Sequence, residues 1–355
     1  MSRILYGVSG EGSGHSSRAL EIGRHLLEQG HELKVASYDR GFRNLSPVFD
    51  TLPIDGLHIV AVNNRVRPLR TLWHNLRRLP AIWRGLQRLK ACIREFKPDY
   101  VMTDFEPCTA WLARFNGIPL ISLDNQHRMR YMRYRSPWRL CWGRWVTETV
   151  IRLMVPPPSA ALATTYYYGE LKNTRTFLFP PIIRREVLTA EPSQGQHHLV
   201  YVTSHFDSLL DVLRQFPGEH FVLYGLNREG VDGNLEFKAF SQEGFVRDLA
   251  TCRSVIATAG FTLISEAIYL GKPCLALPMQ GQFEQQLNAL CLEELGFGLG
   301  AAHVSAEVLQ TFFSQLPELG GRVQNYAQQH RIDDPRHANQ GIRNKLDELL
   351  SSGTA

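Results

Sequence analysis

The sequence contains no run of about 18 uninterrupted apolar residues, the length a helix needs to cross a bilayer. Its first residues, Met1 to Gly7, lead into a glycine loop where a signal peptide would have an apolar region and a cleavage site. Both absences predict a cytoplasmic protein without a spanning helix. The six cysteines, Cys92, Cys108, Cys141, Cys252, Cys274 and Cys291, form no C-x-x-C pair and mostly sit inside apolar runs, as reduced core thiols do. That spacing argues against a disulfide framework and against a zinc site. The 13 histidines show no H-E-x-x-H pattern, and no D-x-D motif is placed to hold a metal-bound diphosphate, so no metal site is expected.

The chain has 355 residues, 44% of them hydrophobic, which is too long for one ordinary core and fits two domains with a cleft between them. A polar stretch from Ala190 to His198 has the composition of a linker. It divides residues 1–190 from residues 191–355, with an amphipathic helix over about 339–350 expected to return to the first domain. In the first part, the buried strand Arg3 to Val8 precedes a glycine loop and a helix that ends at Gly30. Further strands read at Glu32 to Ser37, Tyr100 to Asp104 and Leu120 to Leu123. The second part opens near Leu199 and repeats the pattern at Phe221 to Gly225, Ser254 to Thr258 and Cys274 to Pro278. Strands alternating with helices at this spacing predict two α/β domains, each a doubly wound parallel sheet.

The run Ala257 to Ala289 carries the densest chemistry. A strand ends at Gly260, a helix starts at about Thr262, and Gly271-Lys272-Pro273 leads into a buried strand and a polar loop. A phosphate beside Gly260 would meet helix N-terminal amides with no side chain in the way. Glu266, one turn into that helix, is placed to accept from ribose hydroxyls.

Gly260, Thr262, Ser265, Glu266, Gly271, Pro273, Pro278, Gln285, Asn288 and Ala289 together resemble the donor signature of GT-B glycosyltransferases. The resemblance is to the branch containing the peptidoglycan N-acetylglucosaminyltransferase and the UDP-glucuronosyl and plant UDP-sugar transferases. It implies two Rossmann-like domains facing each other across a cleft, and a nucleotide-sugar co-substrate, with UDP expected, in place of any required cofactor. It implies further that Gly260, Phe261 and Thr262 bind the diphosphate, Glu266 the ribose, and Glu284 and Gln285 the sugar. Backbone groups near Phe240 and Ser241 are candidates for the base; Ser204, Ser265 and Gln282 complete the donor set. Two departures are evident. Ala257-Thr258-Ala259 replaces the His-Cys-Gly of plant relatives, and Glu284 stands where they have Asp, which leaves the donor sugar open.

The loop Gly10 to His15 lacks the full G-x-G-x-x-G pattern, because Ser16-Ser17-Arg18 follows, and so it fails as a dinucleotide motif. It resembles the glycine-rich loop of the same transferases, in which the terminal histidine is the general base. A histidine titrating near neutrality suits the removal of an acceptor hydroxyl proton. Asp104, at the end of a strand of the same sheet, is the expected orienting partner, with Glu106 as rival base or orienter. Gly12, Ser13 and Gly14, with Asn125, Gln126 and His127 after another strand, are the candidate acceptor contacts.

Residues 65–152 hold 18 basic against 6 acidic side chains, nearly all arginine, within a chain of net charge +5. They are interleaved with Trp83, Trp138, Trp142 and Trp145, and Pro80 is expected to split the first part of the region into two helices. Arginine with tryptophan suits an anionic membrane surface or an anionic acceptor, although a solvated helix face accounts for most single arginines. The function predicted is an inverting, metal-independent glycosyltransferase acting on a lipid-linked, glycolipid or anionic acceptor, with peripheral contact at the inner membrane face. Two alternatives remain: a UDP-sugar 2-epimerase of the same architecture, and a non-enzymatic nucleic-acid- or membrane-binding protein. The second leaves Ser265-Glu266 and Glu284-Gln285 unexplained, so no nucleic-acid partner is expected.

Overall fold

The computed structural model describes residues 1–11, 14–56, 61–62, 65–66, 68–202, 207–332 and 337–352. They fall into two compact units. One comprises Met1–Val60, Arg67–Arg184 and Asn339–Ala355, the other Ala61–Val66 and Arg185–Ala338.

The first unit begins with β1 (Arg3–Val8), α1 (Gly14–Glu28), β2 (Glu32–Ser37), α2 (Asp39–Leu45) and β3 (Thr51–Pro53). The short antiparallel strands β4 (Ala61–Val62) and β5 (Arg65–Val66) come next in the chain. Helices α3 (Pro68–Arg77) and α4 (Leu79–Phe96) precede β6 (Tyr100–Asp104), α5 (Pro107–Phe115), β7 (Leu120–Asp124) and α6 (His127–Tyr131). Then come α7 (Cys141–Met154), β8 (Ala160–Thr164) and β9 (Thr176–Phe179). Pro80 lies in the first turn of α4, where its missing N–H removes no helical bond, so the break falls between Arg77 and Leu79.

The seven main strands are all parallel, in the order β3-β2-β1-β6-β7-β8-β9. Both faces are covered, which is why these strands read as near-continuous apolar runs. Ile4, Tyr6 and Met102 pack with Ile22 and Leu26 of α1 on one face. Leu5 and Val101 pack with Leu89 of α4 and Ala110 of α5 on the other. Chain order reverses between β1 and β6, so the connections leaving these two paired strands diverge to opposite faces. Open α/β sheets bind ligands at the carboxyl ends of such strands.

The second unit repeats the plan with α8 (Arg185–Leu188), β10 (His197–Tyr201), α9 (Asp207–Leu213), β11 (His220–Tyr224), β12 (Gly230–Asp232) and β13 (Leu235–Phe237). It continues through α10 (Gln242–Thr251), β14 (Ser254–Thr258), α11 (Phe261–Tyr269), β15 (Cys274–Leu277), α12 (Phe283–Leu295), β16 (Gly298–Gly300) and α13 (Ala306–His330). The strand order is β12-β13-β11-β10-β14-β15-β16, parallel except where β12 meets β13. Its switch point lies between β10 and β14, directly before Gly260.

Helix α14 (Gln340–Ser352) rejoins the first unit's core. Ile342, Leu346, Leu349 and Leu350 are buried with Ile4 and Ile22. Each such side chain contributes about 1.5–3 kcal/mol. His25 Nε2 of α1 also lies 2.9 Å from Asp347 Oδ1.

Candidate active site

At the carboxyl ends of β1 and β6, Val8 pairs with Asp104, and the Ser9 N–H donates to the Asp104 carbonyl at 3.0 Å. The chain then turns at Gly10, where a Cβ would run into the Tyr38 carbonyl, so only glycine fits. Gly12 and Ser13 lie outside the described residues. Gly14 opens α1, and His15 follows with its Nδ1 2.6 Å from Asp104 Oδ1. Asp104 is fully buried, whereas the His15 side chain keeps 13% exposure. With Nδ1 facing a carboxylate, the neutral ring carries its proton there and leaves the Nε2 lone pair free to accept one.

A second cation shares the carboxylate. Arg18, one turn along α1 from His15, donates from Nε to Asp104 Oδ2 at 2.7 Å and from Nη2 to Oδ1 at 2.6 Å. Its Nη1 donates to Asn125 Oδ1 at 3.3 Å, and its Nη2 also lies 3.2 Å from His15 Nδ1. Burial works against this guanidinium's charge, yet Asp104 raises its pKa above the ordinary value. Arg18 was absent from the sequence-derived set. The available signal was its spacing, since i and i+3 share a helix face.

Glu106 takes a different part from the one predicted. Its oxygens accept from the N–H groups of Cys108 at 2.9 Å and Thr109 at 2.7 Å and from the Thr109 hydroxyl at 2.6 Å. It is the N-cap of α5. The carboxylate is committed to its own helix, and Asp104 alone of the two meets His15. Burial raises the Glu106 carboxyl above its usual range despite these bonds.

After β7, Asn125, Gln126 and His127 are all buried. His127 Nδ1 lies 2.6 Å from Asp124 Oδ2, and its backbone N–H donates to Asp124 Oδ1 at 2.8 Å. Its Nε2 is buried without a hydrogen-bond partner. Burial works to raise the Asp124 carboxyl, but His127 outweighs it and holds the group below the usual carboxylate range.

In the second unit, Gly260 is the N-cap of α11 and offers no side-chain cap. A Cβ there would meet nothing nearer than the Thr258 carbonyl at 3.9 Å, so the space beside the helix start is open. The first helical bond runs from Ile264 N–H to the Gly260 carbonyl, and the preceding turn holds Phe261 and Thr262. Glu266 is buried in the next turn. Ser265, expected among the donor contacts, instead gives its hydroxyl to the Phe261 carbonyl at 2.7 Å and is buried. Its one donor is used inside the helix.

On the neighbouring strand, Thr258 of β14 pairs with Leu277 of β15, which brings the α12 start beside that of α11. The Met279 N–H donates to Gln285 Oε1 at 2.9 Å, and Asn288 Nδ2 donates to the Ala259 carbonyl at 2.8 Å. These two side chains brace the loops. Glu284 occupies the first turn of α12, favoured there by the helix dipole, and Gln282 Oε1 is buried without a hydrogen-bond partner. Ser241 caps α10 by accepting from the Gly244 N–H at 3.0 Å. The Phe240 ring beside it is largely exposed. Ser204 lies outside the described residues. Among the described residues, no group of three or more His, Cys, Asp or Glu side chains is arranged to hold a metal.

A family profile described as glycosyl transferase family 1 matches residues 2–317, most of the chain and both units. The chain belongs to this family. Among its relatives, an uncharacterised glycosyltransferase of Methanosarcina acetivorans is 24% identical over 324 residues, spanning 83% of this chain and 84% of the relative. The solved glycosyltransferase of kitacinnamycin superposes with a TM-score of 0.69 at 16% identity, covering 98% of each chain. A glycosyltransferase of Streptomyces sp. SF2575, solved with thymidine diphosphate, covers 92% of this chain and 95% of its own, with a TM-score of 0.59 at 17% identity.

The protein is thus a glycosyltransferase of GT-B type, with a fold that implies a nucleotide-sugar donor and a separate acceptor. The transferase's arginine-rich region is not a uniformly solvated face. Helix α7 turns Trp142, Trp145 and Leu153 outward, 59–69% exposed, and Trp138 just before it is 87% exposed. Leu79 and Trp83 of α4 are outward as well. No helix among the described residues is long and apolar enough to cross a membrane.

Proposed function

We propose that the protein transfers a sugar, with inversion and without a metal, from a UDP-sugar held by the second unit to an acceptor hydroxyl deprotonated by His15. The observation that carries this reading is the His15–Asp104 contact at the end of β1, which supports a base with Nε2 toward the acceptor. In the transfer, Nε2 takes the hydroxyl proton and the acceptor oxygen bonds to the anomeric carbon. The bond from that carbon to the diphosphate oxygen breaks, and the nucleoside diphosphate leaves with the electron pair. Amides at the start of α11 beside Gly260 stabilise its charge, a role that fixed dipoles fill well.

In this reading Glu266 takes the ribose hydroxyls, Glu284 and the Gln285 Nε2 take the sugar, and the segment at Phe240 and Ser241 takes the base. Asn125 and His127 lie on the acceptor side. Residues 12, 13 and 204 keep their proposed roles from sequence alone. The outward tryptophans of α7, beside a basic sequence, support a lipid-linked or otherwise anionic acceptor and peripheral contact with an anionic membrane.

Release of nucleoside diphosphate, measured across panels of UDP- and TDP-sugars and of lipid and soluble acceptors, tests the proposal. UDP-sugars with a product of inverted anomeric configuration are expected. Retention of configuration, or full turnover in His15→Ala, overturns the mechanism. Faster turnover with TDP-sugars overturns the choice of base. Flotation of the protein with anionic vesicles tests the membrane contact, and no difference from neutral vesicles overturns it.

A further inference from the structure

Beside α6, the first unit contains a cavity of about 200 Å³ lined in part by Arg130, Tyr131, Pro157, Pro158, Asn173 and Arg175. Its walls are tied together. The Lys172 N–H donates to the Tyr131 carbonyl at 2.7 Å, Lys172 Nζ donates to the Arg130 carbonyl at 2.9 Å, and the Arg133 N–H donates to the Glu170 carbonyl at 2.7 Å. These bonds fix the end of α6 against the loop before β9.

The lining is rich in donors and contains no carboxylate. Asn173 Oδ1 accepts from the Arg175 N–H at 2.9 Å and from the Thr176 hydroxyl at 3.0 Å, so what its amide can offer a ligand is the Nδ2 donor. Arg130 lays its guanidinium over the Tyr131 ring, 4.8 Å from the centroid. That stacking satisfies the face of the group but not its edge, and Nη1 is buried without a hydrogen-bond partner. Glu148, the acid whose charge Arg130 feels, is engaged by Arg144 at 2.9 Å and Lys172 at 3.6 Å. Burial, with Arg152 pushing the same way, holds the Arg130 guanidinium below its ordinary pKa. Tyr131 feels the charges of Arg130, Arg175 and Arg152 together. Three cations thus act on Tyr131 against the single carboxylate of Asp124, and the cavity lining itself holds no acid, an imbalance that a bound anion would relieve.

We infer that this cavity, framed by Arg130, Tyr131, Asn173 and Arg175, is a binding site for a phosphoryl group, lined by none of the side chains of the His15 cluster. Guanidinium forks match phosphate oxygens in a bidentate way. The volume lies below the about 300–1,000 Å³ of sites that enclose a whole drug-sized ligand, and so suits a phosphoryl group rather than a nucleotide. The phosphate comes from one of two sources: a soluble phosphorylated molecule, or a lipid headgroup presented to α7, which carries Arg152 beside the outward Trp145 and Leu153.

Calorimetric titration of the full chain with inorganic phosphate, in the presence of UDP, reads the site directly. Arg130→Gln and Arg175→Gln are each expected to weaken binding about tenfold or more, as loss of a charged hydrogen bond does. Arg114→Gln, which removes an equal charge from an exposed position on α5, is expected to leave it unchanged. Arg175 is exposed, so its variant keeps the test valid if Arg130→Gln fails to fold. Sedimentation with phosphatidylcholine vesicles, with and without phosphatidic acid, separates the two sources. Retention by phosphatidic acid that both substitutions abolish assigns the site to a headgroup. Loss of phosphate binding with vesicle retention unchanged assigns it to a soluble phosphate. Absence of saturable phosphate binding, or binding that survives both substitutions, overturns the site.

Discussion

His15 Nδ1 and Asp104 Oδ1 lie 2.6 Å apart, although 89 residues separate them in the chain. Parallel pairing of β1 with β6 sets Val8 beside Asp104, and the turn at Gly10 swings α1 so that its first residues hang over the carboxylate. Arg18 closes the arrangement by gripping both Asp104 oxygens. The carboxylate therefore serves two cations, and its orienting effect on the imidazole depends on both.

His15→Ala is expected to lower turnover by about 10²–10⁴-fold, the usual contribution of a positioned base. UDP binding, read by thermal shift, is expected to remain, because the residues proposed to hold the donor belong to the other unit. A turnover loss matched by lost UDP binding would instead point to damage beyond the base.

Arg18 predicts an effect on turnover as well as on stability. Arg18→Met leaves the buried Asp104 without its fixed cation and is expected to cost about 3–5 kcal/mol of stability, measured by denaturant unfolding. In Arg18→Lys, a charge is kept but the two-pronged grip is lost, so Asp104 is held less firmly against His15. Turnover is then expected to fall with KM unchanged. Unchanged turnover would confine Arg18 to a structural role.

Glu266 predicts a change in nucleotide preference. A carboxylate that accepts from ribose hydroxyls favours uridine diphosphate over thymidine diphosphate, which lacks the 2′-hydroxyl. Glu266→Gln is expected to raise KM for a UDP-sugar about tenfold and to change that for a TDP-sugar much less. Equal changes for both donors would remove the ribose from the account.

The Asp124–His127 pair predicts acid sensitivity. The folded protein holds the Asp124 carboxyl below the usual carboxylate range, chiefly through His127 acting against burial. The folded state thus binds this proton less readily than the unfolded chain does. The pair's stabilisation is complete above the ordinary carboxylate pKa of about 3.9 and drains away as pH falls through the folded value. Asp124→Asn keeps the shape but not the titration, so its melting temperature is expected to fall less steeply than the wild type's between about pH 5 and pH 3. Parallel curves would contradict this.

Local pattern made much of the fold readable. Strands covered on both faces leave apolar runs such as Tyr100 to Asp104, and Pro80 marks the break between α3 and α4 because its ring fits a helix start but not a helix interior. Strands β8 and β9 carry no such local pattern. Ala160-Ala161-Leu162-Ala163-Thr164 has little β-branched character and owes its conformation to pairing with β7. The nearest-neighbour chemistry of the site was harder still. Glu106 and Asp104, two residues apart, look equivalent in sequence. Whether each carboxylate turned to the helix of α5 or to His15 was settled by backbone direction at the end of β6. Ser265 reads in sequence as a ligand contact, and only the fold shows that its hydroxyl proton goes to the Phe261 carbonyl.

The amino-acid sequence by itself determined the two α/β units and the glycine-led loops that precede α1 and α11, because strand burial, helix starts and turn geometry depend on residues close together in the chain. Only the tertiary structure decided which charged groups meet. Arg18 joins Asp104 across 86 positions and Asn125 across 107, while Arg130 and Arg175 come to line one cavity. Sheet order brings such groups together, and buried charges then take whichever partner lies within hydrogen-bond reach.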